Sequence, residues 1–367
     1  MVFETLSIGS FLAPILLSPF HVLRMGNCNG KTKKLSAETS SIFVRSSPVV
    51  RVYGSESSLS TYRVRIALLY KTVALQFVSS DTIDTPILQC GTDTVSGSYE
   101  TLLRYIDEKF PNPPLVPRVG EWVRAPIPAI VVTATLQHRS MAWHLDRLVM
   151  WVEDLADRKR TRGDGRAVDP TMGSPRMEVK KLGRIYSQLL ELMLEHAQME
   201  ERIVFPVLER ADRGICRAAN EEHARDLPIM NGIKEDIKSI GVLEAGGPAY
   251  QEAIFTLSAR LKTLQEHSKD HFEEEERELL PLLEAVDMNK ERQESVVAQC
   301  LEVMEGTHSS HLFQFLMDGL KPLEAMQYLD TISRCSDRQR VSSLHRALMA
   351  RMEGTAGSTN WEWDPQK

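Results

Sequence analysis

Two stretches of the chain repeat one pattern of ionisable residues. His196-Ala-Gln-Met-Glu200-Glu-Arg-Ile-Val-Phe-Pro206-Val-Leu-Glu209 and His271-Phe-Glu-Glu-Glu275-Glu-Arg-Glu-Leu-Leu-Pro281-Leu-Leu-Glu284 both read H-x3-E-E-R-x3-P-x-L-E, 75 residues apart (196 to 271). A His and a Glu four positions apart share one helix face, with their Cβ atoms roughly 6 Å apart. An imidazole and a carboxylate on each of two helices are what a metal site between helices requires.

The elements that must position these groups read as four long helices, over residues 127–158, 177–210, 218–239 and 249–286. A Gly/Pro/charge-rich loop, 159–175, and a Gly-Gly-Pro break within 241–247 punctuate them. Apolar residues recur at three- and four-residue steps and trace a seam on each helix. His138 lies on the first seam, with Met141, Leu145, Leu148 and Val152. His196 and Glu200 continue the second from Leu189 and Leu192. Running the third back by sevens from Met230 reaches His223, and Leu257, Leu261 and Leu264 lead to His271 and Glu275 on the fourth. If the helices alternate in direction, as in an up-down bundle, four histidines and two glutamates project into one core at one height.

A buried carboxylate without a partner costs several kcal/mol or shifts until it is neutral. Two of them beside imidazoles call for cations, which a metal supplies; a hydrogen-bonded polar network without metal is the alternative. Structural zinc prefers four ligands, often thiolates, and no cysteine of the five (Cys28, Cys90, Cys216, Cys300, Cys335) falls in these motifs. Iron or manganese suits the set better. Other histidines read differently. His144 points off the seam, His267 stands one turn from His271 as an outer donor or extra ligand, and His308 and His311 read as structural or surface residues. The acidic run 273–276 reads mostly as a solvated face, in which only Glu275 is placed to coordinate. Pro228, just after His223, is expected to kink that helix.

The segments LQHRSMAWHLDRL, LEHAQMEERIVFPVLE, EEHARDL and HSKDHFEEEERELLPLLE resemble the four helices of a hemerythrin-like, HHE cation-binding domain, over residues 131–286. The resemblance implies a non-haem, oxo- or hydroxo-bridged pair of iron ions, with manganese or zinc as alternatives. It implies His138, His196, Glu200, His223, His271 and Glu275 as ligands, with Glu200 and Glu275 bridging. It also implies an open position for O2, NO or peroxide.

Residues 49–117 read as a small α/β module, with strands over 49–53 and 73–78 and helices over 61–71 and 99–110. GSESSLSTYRVRIALLYK and SGSYETLLRYIDEKFPNPPLVP resemble the thioredoxin-like domain of glutathione transferases, most closely the zeta class. The resemblance implies that Ser98 holds the γ-glutamyl carboxylate of glutathione. The departures are Gly97 before that serine, Ser57-Ser58-Leu59 in place of Ser-Ser-Cys, and Thr85-Pro86-Ile87-Leu88 around the family's cis-proline. No matching helical half follows directly. The module therefore reads as a docking or folding unit, and a glutathione-dependent transferase or peroxide-handling oxidoreductase is the alternative. No catalytic base beyond the metal ligands is evident in the bundle. The combination resembles proteins of the plant type.

The 367 residues suggest about two domains. A formal net charge of −6 gives no support for nucleic-acid binding. Scattered, odd-numbered cysteines suggest a reducing compartment, so the cytoplasm is the expected location. Residues 1–48 read as a disordered leader. A start at Met25 would expose Gly26 beside Cys28 and create an acylated peripheral membrane form. The expected organisation is thus leader 1–48, module 49–117, metal-binding bundle 125–290, helical extension 291–352 and tail 353–367.

Overall fold

The computed structural model describes residues 48–117, 127–157, 174–286, 288–304, 306, 309–335 and 338–356. The leader with Met25, Gly26 and Cys28, most of the 159–175 loop, His308 and the end of the tail lie outside the described residues.

The module is a four-stranded sheet with two helices. Its elements are β1 (Val49–Gly54), α1 (Leu59–Leu69), β2 (Ala74–Ser79), β3 (Ile87–Cys90), β4 (Asp93–Ser96) and α2 (Tyr99–Lys109). The sheet order is β2-β1-β3-β4, with β1 parallel to β2 and β3 antiparallel to both β1 and β4. This βαβ unit followed by a hairpin and a helix is the thioredoxin-like arrangement. In β1 the side chains alternate, with Val50 and Val52 buried and Arg51 exposed, as a strand with one buried face requires. The β3–β4 hairpin is absent from the sequence expectation. Its strands are four residues long and its turn, Gly91–Thr92, depends on Gly91 at φ +62°, which L-residues rarely adopt. Among the described residues the cis peptide is Asn112–Pro113, so Thr85–Pro86 does not take the cis form.

The bundle comprises α3 (Ala129–Asp157), α4 (Pro175–Met199), α5 (Phe205–Leu208), α6 (Arg217–Val242), α7 (Pro248–Glu274) and α8 (Leu280–Ala285). Helices α3, α4, α6 and α7 form a ring in which each packs on the next and α7 closes on α3. Leu145, Leu148, Leu189, Leu192, Ile233, Leu257, Leu261 and Leu264 fill its centre. Between α4 and α5, and again between α7 and α8, the chain widens into one π-helical turn, Glu200–Val204 and Glu275–Leu279. The cause is in the repeat. Pro206 and Pro281 have no N–H to give, and their rings crowd the carbonyl four residues back. The backbone opens instead, and Phe205 N–H and Leu280 N–H donate to Glu200 O and Glu275 O, five residues back. Helix α6 runs unbroken through Pro228.

The C-terminal helices are α9 (Lys290–Val303), α10 (Ser310–Asp318), α11 (Pro322–Cys335) and α12 (Arg338–Ala356). They are not a free extension: α9, α10 and α11 pack on α3, and α11 and α12 pack on α1. Arg63 pairs with Asp330 of α11 and lies 3.6 Å over the Tyr99 ring. Arg65 reaches Glu353 of α12 at 2.6 Å. The helical face of the module, for which the sequence offered no partner, is thus covered by the far end of the chain. Among the described residues no helix is long and apolar enough to cross a membrane.

Candidate metal centre

His138 lies early in α3 and His223 early in α6. His196 and His271 lie near the ends of α4 and α7, and Glu200 and Glu275 open the two π turns. The six side chains meet because consecutive helices run in opposite directions. They form two four-membered clusters that share both glutamates: His138, His196, Glu200 and Glu275, and Glu200, His223, His271 and Glu275.

The two clusters match closely. His138 Nε2 stands 3.0 Å from His196 Nε2, and His223 Nε2 stands 3.0 Å from His271 Nε2. Glu200 Oε1 is 3.0 Å from His196 Nε2 and 3.6 Å from His138 Nε2, while its Oε2 is 3.6 Å from His223 Nε2. Glu275 Oε2 lies 3.4 Å from His138 Nε2, and its Oε1 lies 3.7 Å from His271 Nε2. Each glutamate therefore faces both clusters, one oxygen to each.

Every imidazole is held from behind through Nδ1. His138 Nδ1 donates to Glu276 Oε1 (3.0 Å), His196 Nδ1 to Gln137 Oε1 (2.8 Å), His223 Nδ1 to Glu201 Oε1 (3.0 Å) and His271 Nδ1 to Glu222 Oε2 (2.8 Å). These acceptors fix the tautomer, so each Nε2 turns a lone pair inward. Two lone pairs 3.0 Å apart repel unless a cation or a shared proton lies between them. Nitrogen ligands sit about 2.0–2.1 Å from an ion such as zinc, and two of them at a right angle are then about 3 Å apart. Glu200 is 1% and Glu275 2% exposed, and Glu200 Oε2 and both Glu275 oxygens have no hydrogen-bond partner. Orphaned buried carboxylate oxygens facing inward lone pairs are a donor set that fits divalent or trivalent metal.

The protonation pattern of the metal-free side chains is consistent with this. Burial pulls the His138 pKa down, but Glu200, Glu275 and Glu276 outweigh it and hold that ring well above the ordinary histidine range. Burial wins at His196, whose pKa falls. Burial would raise Glu200, yet His196 and His138 hold it well below the ordinary carboxylate range. A proton on His138 thus supplies part of the positive charge that the carboxylates require.

Residues 129–283 match the family model described as Hemerythrin HHE cation binding domain. The bundle is a hemerythrin-type domain. For the whole chain, similar solved structures include the theta class glutathione S-transferase of Xanthomonas axonopodis pv. citri with glutathione bound. That likeness has 16% identity, covers 43% of this chain and 68% of that one, and has a TM-score of 0.18. Maleylacetoacetate isomerase of Anaeromyxobacter dehalogenans 2CP-1 is similar at 17% identity, over 42% of this chain and 69% of that one, also with a TM-score of 0.18. No curated protein matches the chain.

The hemerythrin-type domain gathers all six residues singled out from the sequence, including His223 despite Pro228. The His223 side chain is the most open of the four rings, at 12% exposure. Two expectations need correction, those for Glu276 and His267. Glu276 is not merely part of a solvated face, since it accepts from His138 Nδ1. His267 stands outside both clusters, and its Nδ1 pairs with Asp226 Oδ1 at 2.9 Å. His144 donates from Nε2 to Phe315 O at 2.8 Å and stacks on the Phe315 ring; burial pushes its pKa down to about 3. His311 is exposed beside Ser309. Two cysteines, Cys216 and Cys300, are fully buried in the helical part of the chain. Burial, then Glu209, Glu275 and Glu200, push the Cys216 thiol up to about 12; burial and then Glu200 raise Cys300. Ser98 lies apart from the metal cluster and caps α2, accepting from Thr101 N at 3.2 Å.

Sequence reasoning missed Gln137, Glu201 and Glu222 as supports. Two signals were available. Glu201 and Glu276 are the second Glu of the repeated E-E-R, and Gln137 and Glu222 each immediately precede a seam histidine.

Proposed function

We propose that the hemerythrin-type domain holds two non-haem iron ions and uses them to bind or sense O2, NO or iron itself. His138 and His196 hold one ion, His223 and His271 the other, and Glu200 and Glu275 bridge them. The observation that carries this reading is the pair of glutamates whose buried oxygens lack partners and face both histidine clusters. An iron pair supplies reversible coordination of a small ligand and electrons to exchange with it. The chain's own residues do the rest. Glu276, Gln137, Glu201 and Glu222 keep the imidazoles turned inward, and Phe272 stacks on His138 with ring centroids 4.4 Å apart and excludes water from its face. A cavity of about 550 Å3 between α3 and α7 reaches His138, Phe272 and Glu276, and offers a small ligand a way in. Metal analysis of the purified protein, with absorption spectra in the presence and absence of O2, tests the reading. About two irons per chain and an O2-dependent spectrum are expected. A Glu200→Ala, Glu275→Ala double variant that keeps its full metal content refutes it.

A second reading places chemistry in the module. Ser57, at the turn before α1, lines a cavity of about 510 Å3 together with Tyr62, Arg65 and Arg346. This fits a glutathione-dependent transferase or oxidoreductase. We favour a docking role, because the α1 face is covered by α11 and α12.

A further inference from the structure

The four supports behind the imidazoles are alike in geometry and unlike in charge. Behind His223 and His271 both acceptors are carboxylates, Glu201 and Glu222. Behind His138 and His196 one is a carboxylate, Glu276, and the other is the amide of Gln137. Gln137 occupies in α3 the position that Glu222 occupies in α6, immediately before the inward histidine. The repeated frame therefore differs here by one unit of charge.

Gln137 is held in that role. It is fully buried, and its Nε2 donates to Tyr328 Oη at 3.1 Å and points to Met304 Sδ at 3.2 Å. With the amide nitrogen so engaged, Oε1 is left to accept from His196 Nδ1. A carboxylate behind an imidazole raises its strength as a ligand, and a neutral amide does so less. The His138 cluster is also the one that faces the cavity between α3 and α7.

We propose that the two metal positions are unequal and that Gln137 sets their order: the first divalent ion takes the His223–His271 position, and the His138–His196 position is the weaker, exchangeable one. This rests on the reading of the six residues as metal ligands. Repulsion between two ions would give stepwise loading even in a symmetric site, so the place of the first ion, not the number of steps, is the informative quantity.

The test uses the full chain, stripped of metal and given Fe(II) without oxygen. Crystals grown with one equivalent are measured at the iron absorption edge, and the two binding constants are measured in solution. In the wild type the anomalous peak is expected between His223 and His271, with the two affinities separated by at least about tenfold. Glu222→Gln should weaken that position by about 10- to 100-fold and spread the first equivalent over both positions. Gln137→Glu should strengthen the other position and remove the preference. Metal-free circular dichroism checks that each variant is folded, and Glu222→Gln decides alone if Gln137→Glu does not fold. A first ion between His138 and His196, or a preference unchanged in the folded variants, overturns the inference while leaving a two-ion site intact. Fewer than two ions in the wild type, or binding that survives loss of Glu200 and Glu275, overturns both.

Discussion

Replacing Glu275 by methionine should make the metal-free protein more stable and abolish its response to metal. Both Glu275 oxygens are buried without a hydrogen-bond partner, and each such group costs about 1–3 kcal/mol. The carboxylate recovers part of this through attraction to His138 Nε2, 3.4 Å away. A methionine of similar length fills the space without the charge. Exchanges of buried ionic groups for apolar ones often stabilise by about 1–4 kcal/mol. In a bundle of this size each kcal/mol moves the melting temperature by roughly 2–4 °C. The metal-free variant should thus melt at least about 2 °C above the metal-free wild type. Loading should narrow that gap or reverse it. Metal at a hundredfold excess over its dissociation constant adds about 2.7 kcal/mol to the wild type and little to the variant, which has lost one of the two glutamates shared by the clusters. Differential scanning calorimetry on chelated and iron-loaded samples measures both. A metal-free variant that melts at or below the metal-free wild type would refute the reasoning, because it would mean that the carboxylate is satisfied without metal.

Metal binding should release protons and weaken on acidification, because His138, raised in the metal-free fold by Glu200, Glu275 and Glu276, keeps a proton that the ion must displace; calorimetric titration in buffers of different ionisation enthalpy measures this. The same ring stabilises the metal-free fold below the ordinary histidine pKa, and that contribution is lost as pH rises through its elevated value. His144 acts in the opposite sense: with a folded pKa of about 3 against 6.5, it costs stability progressively as pH falls between those values, and urea midpoints across that range should show the decline. Asp330→Ala should destabilise the chain by about 1–3 kcal/mol, because it leaves the Arg63 guanidinium without its carboxylate partner, while metal stoichiometry stays unchanged. The module should not conjugate glutathione to a chlorinated nitrobenzene; robust turnover that disappears in a Ser57→Ala, Ser58→Ala variant would promote the transferase reading.

The long elements and the meeting of the six side chains were legible because helical periodicity is local and the H-x3-E repeat fixes face and height together. The sheet was only half legible. Val49–Gly54 and Ala74–Ser79 alternate or carry β-rich composition, but β3 and β4 are too short to show a period, and their pairing is a non-local fact. The π turns were implicit in Pro206 and Pro281, whose missing N–H groups lie six residues past Glu200 and Glu275. The supports behind the imidazoles were harder to find. Glu201 and Glu276 look like solvent-facing members of acidic runs until the neighbouring helix is in place. The cover of α1 by α12 joins residues almost 300 positions apart, as in Arg65 with Glu353, and no local pattern announces such a contact.

The bundle ring can also be viewed as two hairpins, α3 with α4 and α6 with α7. Each hairpin carries three groups of one cluster (His138, His196 and Glu200, or His223, His271 and Glu275) and lends its glutamate to the other. Each orients one of its histidines internally, through Gln137–His196 or Glu222–His271, and the other only across the interface, through Glu276–His138 or Glu201–His223. A hairpin alone is therefore a nearly complete half with one misaligned ring and one open place, and a second copy of the same half would complete it. The two hairpins are thus equivalent halves that exchange one glutamate and one supporting carboxylate each. Because both halves belong to one chain and are encoded separately within it, a difference such as Gln137 opposite Glu222 can stand on one side without being imposed on the other.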